Sequence, residues 1–214
     1  FRRYGPATTA ATLTSSSTFA LASIQFSSIG QLNYALILKN AAIAAYTWAE
    51  ANPGVTFYNS GVIGAGEQET DAYGVAARKF SSAVFLYTLT SDAQYRIYVD
   101  ANYQDLHLLQ WTYAYPFEGN EQDALLYYTK IPGATPAAVN NILNAYSGSL
   151  VYNNGDNLPA YLNNTDAYRA WLADNNYTWN SNQTKSKQAN MFLNMNVYNL
   201  SSANQTDFEN AASE

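Results

Sequence analysis

The stretch from Gln31 to Asn52, QLNYALILKNAAIAAYTWAEAN, decides the fold class. It contains neither proline nor glycine, and its apolar residues cover almost the whole circumference of a helix, the pattern of an element packed on most sides. Asn52-Pro53-Gly54 supplies the stop. Upstream, ATTAATLTSSSTFALASIQFSS (residues 7–28) places Leu13, Phe19, Ala20, Ile24 and Ile29 close to helical spacing, with Pro6 suited to a first turn and Gly30 to a C-terminal stop.

Working outward from this pair, the glycine-rich stretch 55–74 reads as a long loop. A helix follows over 76–90, and after a Ser91-Asp92 cap another runs over 93–109; with so short a turn between them they must be antiparallel neighbours. QWTYAYPFEGNEQDALLYYTKIPG (110–133) is an aromatic loop leading into a short helix. Thr135 caps a helix over 136–146 with Pro136 in its first turn. Residues 148–169 read as loop, with Asn153-Asn154-Gly155-Asp156 a turn signal. The last helices span 184–200 and 205–214. Strand-like alternation is sustained nowhere, so the expected class is all-α, roughly eight helices in antiparallel hairpins within a single domain, 1–214.

Composition narrows the function classes. A net charge of −6 with only 10 Lys and Arg argues against nucleic acid, whose phosphates need clustered cations. No run reaches about 18 apolar residues, so no membrane span is expected. The absence of cysteine removes disulfides, thiolate metal sites and cysteine nucleophiles. Aromatic residues make up 15% of the chain, 19 of them Tyr, beside abundant Asn, Gln, Ser and Thr. Sugars have apolar faces and polar rims and suit such a surface, although Tyr also serves as an amphipathic core filler.

The single histidine, His107, is the only one a metal centre or a Ser-His-Asp triad could use, and a structural histidine is the favoured reading. Glu67, Glu69 and Asp71, and likewise Glu118, Glu121 and Asp123, lie at helix starts, where carboxylates stabilise the positive end of the macrodipole. In QWTYAYPF, Trp111, Tyr113, Tyr115 and Phe117 alternate, so an extended backbone turns all four rings to one side. Trp179, in NNYTWNSNQTKSKQAN (175–190), is set among amides and hydroxyls and reads as an exposed platform, whereas Trp48 lies in an apolar helix and reads as core. Asn180 and Asn182 beside it are suited to hydrogen-bond sugar hydroxyls.

Together these segments resemble the catalytic domain of glycoside hydrolase family 9, the cellulase family built on an (α/α)6 barrel. The resemblance rests on GPATTAATLTSS (5–16), AAYTWAEANPGVTFYNS (44–60), SSAVFLYTLTSDAQY (81–95), WTYAYPFEGNEQDALLYY (111–128) and YTWNSNQTKSKQAN (177–190). It implies a partial (α/α)6 barrel and, for the parent protein, a secreted, periplasmic or cell-surface cellulase that hydrolyses β-1,4-glucan with inversion. Its partner is then a β-glucan or cello-oligosaccharide. It also implies stacking roles for Tyr115 and Trp179, with Trp111 as a supporting ring and Asn180 standing where the family has glycine.

The family takes its base from an Asp-Ala-Gly-Asp motif and its acid from a late Glu. No Asp-Ala-Gly-Asp occurs in these 214 residues, so no catalytic residue is assigned and the chain alone is expected to be inactive. Ala77 and Arg78 replace an Asp-Glu pair that binds calcium in many members, so neither a cofactor nor a structural calcium is expected. The alternative of another class is a non-catalytic helical glycan-binding protein.

Overall fold

In the computed structural model, which describes residues 6–57, 69–152, 157–163 and 181–213, the chain enters its first helix through Thr8 rather than Pro6. The extended Thr8 accepts from the Ala11 N–H at 3.4 Å, and its hydroxyl also bonds Glu69 Oε1 at 2.6 Å. α1 (Thr9–Ser28) ends where Gly30 adopts φ +80°, a left-handed turn that costs glycine little. The turn is closed by Gln31 N–H to Phe26 O and Gly30 N–H to Ser27 O. α2 (Leu32–Ala51) then returns along α1.

The register of that return is written in two hydrogen bonds. Ser16 Oγ donates to Ala42 O at 2.8 Å and Ser23 Oγ to Ala35 O at 2.7 Å, so a step forward on α1 is an equal step back on α2. α2 buries Ala35, Leu38, Ala42, Tyr46 and Ala49, one stripe at helical spacing. The expectation that it is packed on most sides does not hold: Leu32, Leu36 and Ile37 are more than half exposed, and Trp48 is half-buried rather than core.

Two further helices complete this part of the chain. α3 (Ala72–Thr90) begins earlier than its apolar pattern indicates, because Asp71 caps it through the Gly74 N–H at 2.7 Å. Ser91, in the left-handed region at φ 58°, closes it, and Asp92 accepts from the Gln94 N–H at the head of α4 (Ala93–Asn102). Ser82 Oγ on α3 donates to Leu13 O on α1 at 2.6 Å. Glu69 caps nothing; its carboxylate accepts from the Phe57 N–H at 3.3 Å while its own N–H donates to Phe57 O. Glu67 lies outside the described residues.

Contacts divide the chain into two compact units, Phe1–Asn102 and Tyr103–Glu214. The second holds α5 (His107–Trp111), α6 (Gly119–Tyr128), α7 (Pro136–Tyr152), α8 (Leu158–Leu162), α9 (Ser181–Val197) and α10 (Gln205–Ser213). Its core uses large rings: Tyr128, Tyr146 and Phe208 are fully buried, and Phe192 meets Tyr161 at 6.3 Å and Phe208 at 5.8 Å between centroids. Each such side chain contributes roughly 1.5–3 kcal/mol on burial. Every described element is a helix or a short 3₁₀ turn, and no strand occurs among the described residues.

Three expectations about this unit change. The helix expected over 93–109 breaks at a 3₁₀ turn, Tyr103–Asp105, so His107 begins a new short helix instead of lying inside a long one. α7 continues to Tyr152 because Ala138, Ile142, Tyr146 and Leu150 keep one buried face past Gly148. The 148–169 stretch also contains α8, which Asn157 caps by accepting from the Ala160 N–H at 3.0 Å.

Candidate functional site

The site is built on the second unit, on the segment that joins α5 to α6. The 3₁₀ turn that opens it is fixed by Tyr103, buried, whose hydroxyl accepts from Asn141 Nδ2 at 2.7 Å. Leu106 then takes an extended conformation and both Leu106 and Leu108 point into the core, which turns His107 away from it. α5 stops after Trp111 because Thr112 sits in the left-handed region at φ 50°. For a β-branched residue that conformation is strained, and the Thr112 hydroxyl bonds the Trp111 carbonyl at 2.7 Å.

From Thr112 the chain runs to Pro116, and side chains from other elements hold its backbone. Ser149 Oγ on α7 accepts from the buried Ala114 N–H at 2.7 Å. Gln122 Nε2 on α6 donates to Tyr115 O at 2.7 Å, while Gln122 Oε1, buried, has no hydrogen-bond partner among the described residues. The 3₁₀ turn Pro116–Glu118 packs against α9, and Lys187 Nζ of α9 reaches Phe117 O at 3.4 Å.

On this backbone the four alternating rings meet around Tyr115, which contacts the other three. Trp111 stands edge-on to Tyr115, with centroids 6.0 Å apart and planes at 69°. Tyr115 in turn contacts Tyr113 at 6.1 Å and Phe117 at 5.1 Å, both tilted. Trp111 is 47% exposed and Phe117 39%, while Tyr113 and Tyr115 are half-buried. Residues 108–117 contain no charged side chain. The strip's own side chains are thus uncharged and aromatic, its backbone is held by other elements, and Trp111 and Phe117 are exposed.

Beneath the strip His107 and Glu118 make the contact that neither motif nor spacing announced. His107 Nδ1 lies 2.6 Å from Glu118 Oε1, and the imidazole stacks on the indole of Trp111 at 3.6 Å and 15°. Glu118 thus spends its carboxylate on His107 rather than on capping α6, at whose start it stands. Asp123 likewise serves no cap; it accepts from Asn194 Nδ2 of α9 at 2.8 Å. Desolvation raises the Asp123 carboxyl above the ordinary range, opposed by the Asn194 hydrogen bond and the charge of Lys187.

Of the residues that sequence singled out, Trp111 and Tyr115 are brought into one cluster. Asn182 is exposed in the first turn of α9. Trp179 and Asn180 lie outside the described residues. Next to Thr112, a groove of about 550 Å³ runs between Leu109 and Asn141, Asn144 and Gly148 of α7, again without a charged wall. Sequence reading missed it because its two sides are about 30 residues apart in the chain.

The replaced calcium pair lies in the first unit. Ala77 is buried and offers no oxygen side chain, and Arg78 Nη1 donates to Thr70 Oγ1 at 2.9 Å and to Gly74 O at 3.0 Å. These residues do not fit calcium, since a fixed cation already uses the local oxygens.

No helix among the described residues is long and apolar enough to cross a membrane. Compared with known proteins, the chain matches the model of glycosyl hydrolase family 9 over residues 2–214, and the all-helical architecture agrees with the (α/α)6 fold of that family. No curated protein matches it.

Proposed function

We propose that this chain, which belongs to glycosyl hydrolase family 9, is part of an inverting β-1,4-glucanase acting on cellulose or a related β-glucan, and that its 111–118 strip lines the substrate groove. The observation that carries this reading is the uncharged run of four touching rings, with Trp111 at its exposed end. A pyranose presents an apolar face of axial C–H groups and a rim of hydroxyls. An indole offers the matching flat area, and rings that carry no charge of their own can be covered by the sugar without stripping water from an ion.

The roles follow from chemistry and position. Trp111 and Tyr115 stack on glucosyl units. Asn182, with Trp179 and Asn180 preceding it in the chain, supplies further stacking and hydroxyl contacts at the start of α9. Inverting hydrolysis needs an acid on the leaving oxygen and a base on water, with carboxyls about 6.5–9.5 Å apart. No carboxylate of this chain is assigned to either role. Its residues hold and orient the glucan, so their effect is on substrate affinity and register. The family match from residue 2 to residue 214 supports treating both compact units as parts of one catalytic domain. A polymeric substrate that cannot enter cells supports a secreted, periplasmic or cell-surface location.

Titration with cellopentaose followed by tryptophan fluorescence tests the reading. A saturable change is expected, clearly smaller and weaker in Trp111→Ala, which leaves only the contribution of Trp179, and weakened about tenfold in Tyr115→Ala, equivalent to about 1.4 kcal/mol. A Trp111→Ala protein that responds as the wild type does would remove the strip from the substrate groove.

A further inference from the structure

We infer that the His107–Glu118 pair is a positioning clasp that fixes the indole of Trp111 and leaves one of its faces for sugar; the inference rests on the glucan-binding reading of the strip. Two contacts meet here. The pair spans the strip, joining the residue four before Trp111 to the residue just after Phe117 through a 2.6 Å hydrogen bond. A carboxylate only accepts, so Nδ1 carries the proton and the orientation of the imidazole plane is set by Glu118. That plane lies nearly parallel to the indole, 15° apart with centroids at 3.6 Å.

A parallel contact this close covers one face of Trp111. Trp111 nevertheless stays 47% exposed, so indole surface remains for a sugar, and Tyr115 meets the ring at 69° with centroids 6.0 Å apart. A tryptophan left without such a backing would exchange among staggered rotamers, and a ligand would have to immobilise it at roughly 0.5–1.5 kcal/mol. The clasp makes that ordering part of the fold. The His107 and Glu118 side chains are each about four-fifths buried, at 20% and 18% exposure, so the bond is sheltered from water.

The geometry also separates two roles within the pair. His107 touches the indole and acts on it directly. Glu118 reaches the indole through His107, so a change at Glu118 should move Trp111 by releasing the imidazole. A glutamine at 118 keeps an acceptor oxygen, whereas a leucine does not. A phenylalanine at 107 keeps a flat ring but gives up the hydrogen bond that sets its angle.

The test uses the full chain labelled with 5-fluorotryptophan and read by ¹⁹F NMR, where Trp111→Phe identifies the Trp111 resonance among the four tryptophans. His107→Ala and Glu118→Leu should shift and narrow that resonance while leaving the other three in place, which also reports that the variants fold. His107→Phe should shift it less, and Glu118→Gln should restore it. Cellopentaose titrated into the same samples should bind about two- to tenfold more weakly to His107→Ala, the worth of one aromatic contact. A Trp111 resonance unmoved in His107→Ala overturns the clasp, and it does so even if cellopentaose still perturbs Trp111 and the glucan reading stands. If the resonance moves in His107→Ala but cellopentaose perturbs it in no sample, the clasp has lost its ligand: the ring is held, and the glucan reading is what fails.

Discussion

The two units use the same kind of bond, from a polar side chain to a backbone group, for opposite purposes. In the first, Ser16, Ser23 and Ser82 each donate to a carbonyl of a neighbouring helix. Those carbonyls lie inside helices and already accept within them, so the serines are gains added to a satisfied backbone. Being small, they let helix backbones approach with alanines between them. In the second, Ser149 meets a backbone N–H that no helix provides for, and Gln122 and Lys187 add donors to carbonyls of the same strip. One unit is tied helix to helix, and the other spends its polar side chains on a non-helical strip that must stay open. Close packing needs small residues, and an exposed aromatic strip needs scaffolding behind it.

The largest effect should come from breaking the close packing. Ala42 is fully buried beside the Ser16 bond. Ala42→Leu forces extra carbons between two backbones and should cost about 3 kcal/mol, the upper part of the range for overpacked cores. Ala145→Leu enlarges a residue that borders the groove of the second unit, where there is room, and should stay within about 0.5 kcal/mol. Urea unfolding followed by circular dichroism measures both. Equal losses would mean that the first unit is no more tightly packed than the wall of the groove.

Much of this was legible because helices and their stops announce themselves locally. The Gly30 turn and the Pro136 start lie where their residue types require. Other features depend on partners distant in sequence. The break at Tyr103 has no glycine or proline to mark it; burying Leu106 and Leu108 together, two residues apart, demands an extended step that a continuous helix cannot give. At Gly148 the reverse error arises, since a glycine inside a helix reads as a stop although its neighbours keep the buried face. α2 looked enclosed because apolar residues surround it, yet only the stripe Ala35, Leu38, Ala42, Tyr46 and Ala49 is buried. At the site, the four rings do meet, but not through the extended alternation that the sequence suggested: Trp111 ends α5, Thr112 is left-handed and Phe117 lies in a 3₁₀ turn. The His107–Glu118 pair stayed hidden, because it forms only once Thr112 turns the chain back through a left-handed conformation that threonine does not favour.

A narrower comparison sets one serine against another. Ser149→Ala removes the acceptor of the Ala114 N–H, a backbone donor in a fully buried residue, and should cost about 2 kcal/mol because the group is left unsatisfied. Ser16→Ala removes a donor from the Ala42 carbonyl, which keeps its bond within α2, and should cost about 1 kcal/mol. The two deletions are chemically identical, so the ratio of their costs isolates the state of the backbone partner. Ser149→Ala should also loosen the strip and weaken cellopentaose binding, whereas Ser16→Ala should leave it unchanged. A Ser16→Ala variant that costs as much as Ser149→Ala would show that the hydroxyls serve both units alike.

The smallest effect concerns charge in the scaffold behind the strip. Desolvation raises the Asp123 carboxyl above its ordinary value of 3.8, while the Asn194 hydrogen bond and Lys187 pull it back. Much of the Asp123 surface nevertheless meets solvent, so the energetic consequence is small. A raised carboxyl binds its proton more tightly in the folded chain than in the unfolded one. Folding stability therefore falls as pH rises through the ordinary carboxylate range and levels off above the raised value. Asp123→Asn keeps an oxygen for Asn194 and removes the charge. It should gain up to about 0.5 kcal/mol at neutral pH, and that gain should vanish below pH 3.8, where the wild-type carboxyl is protonated in both states. Urea midpoints for both proteins across that range measure the difference. A gain that persists in acid would arise from packing, and a loss at neutral pH would show that the attraction of Lys187 outweighs the desolvation of Asp123.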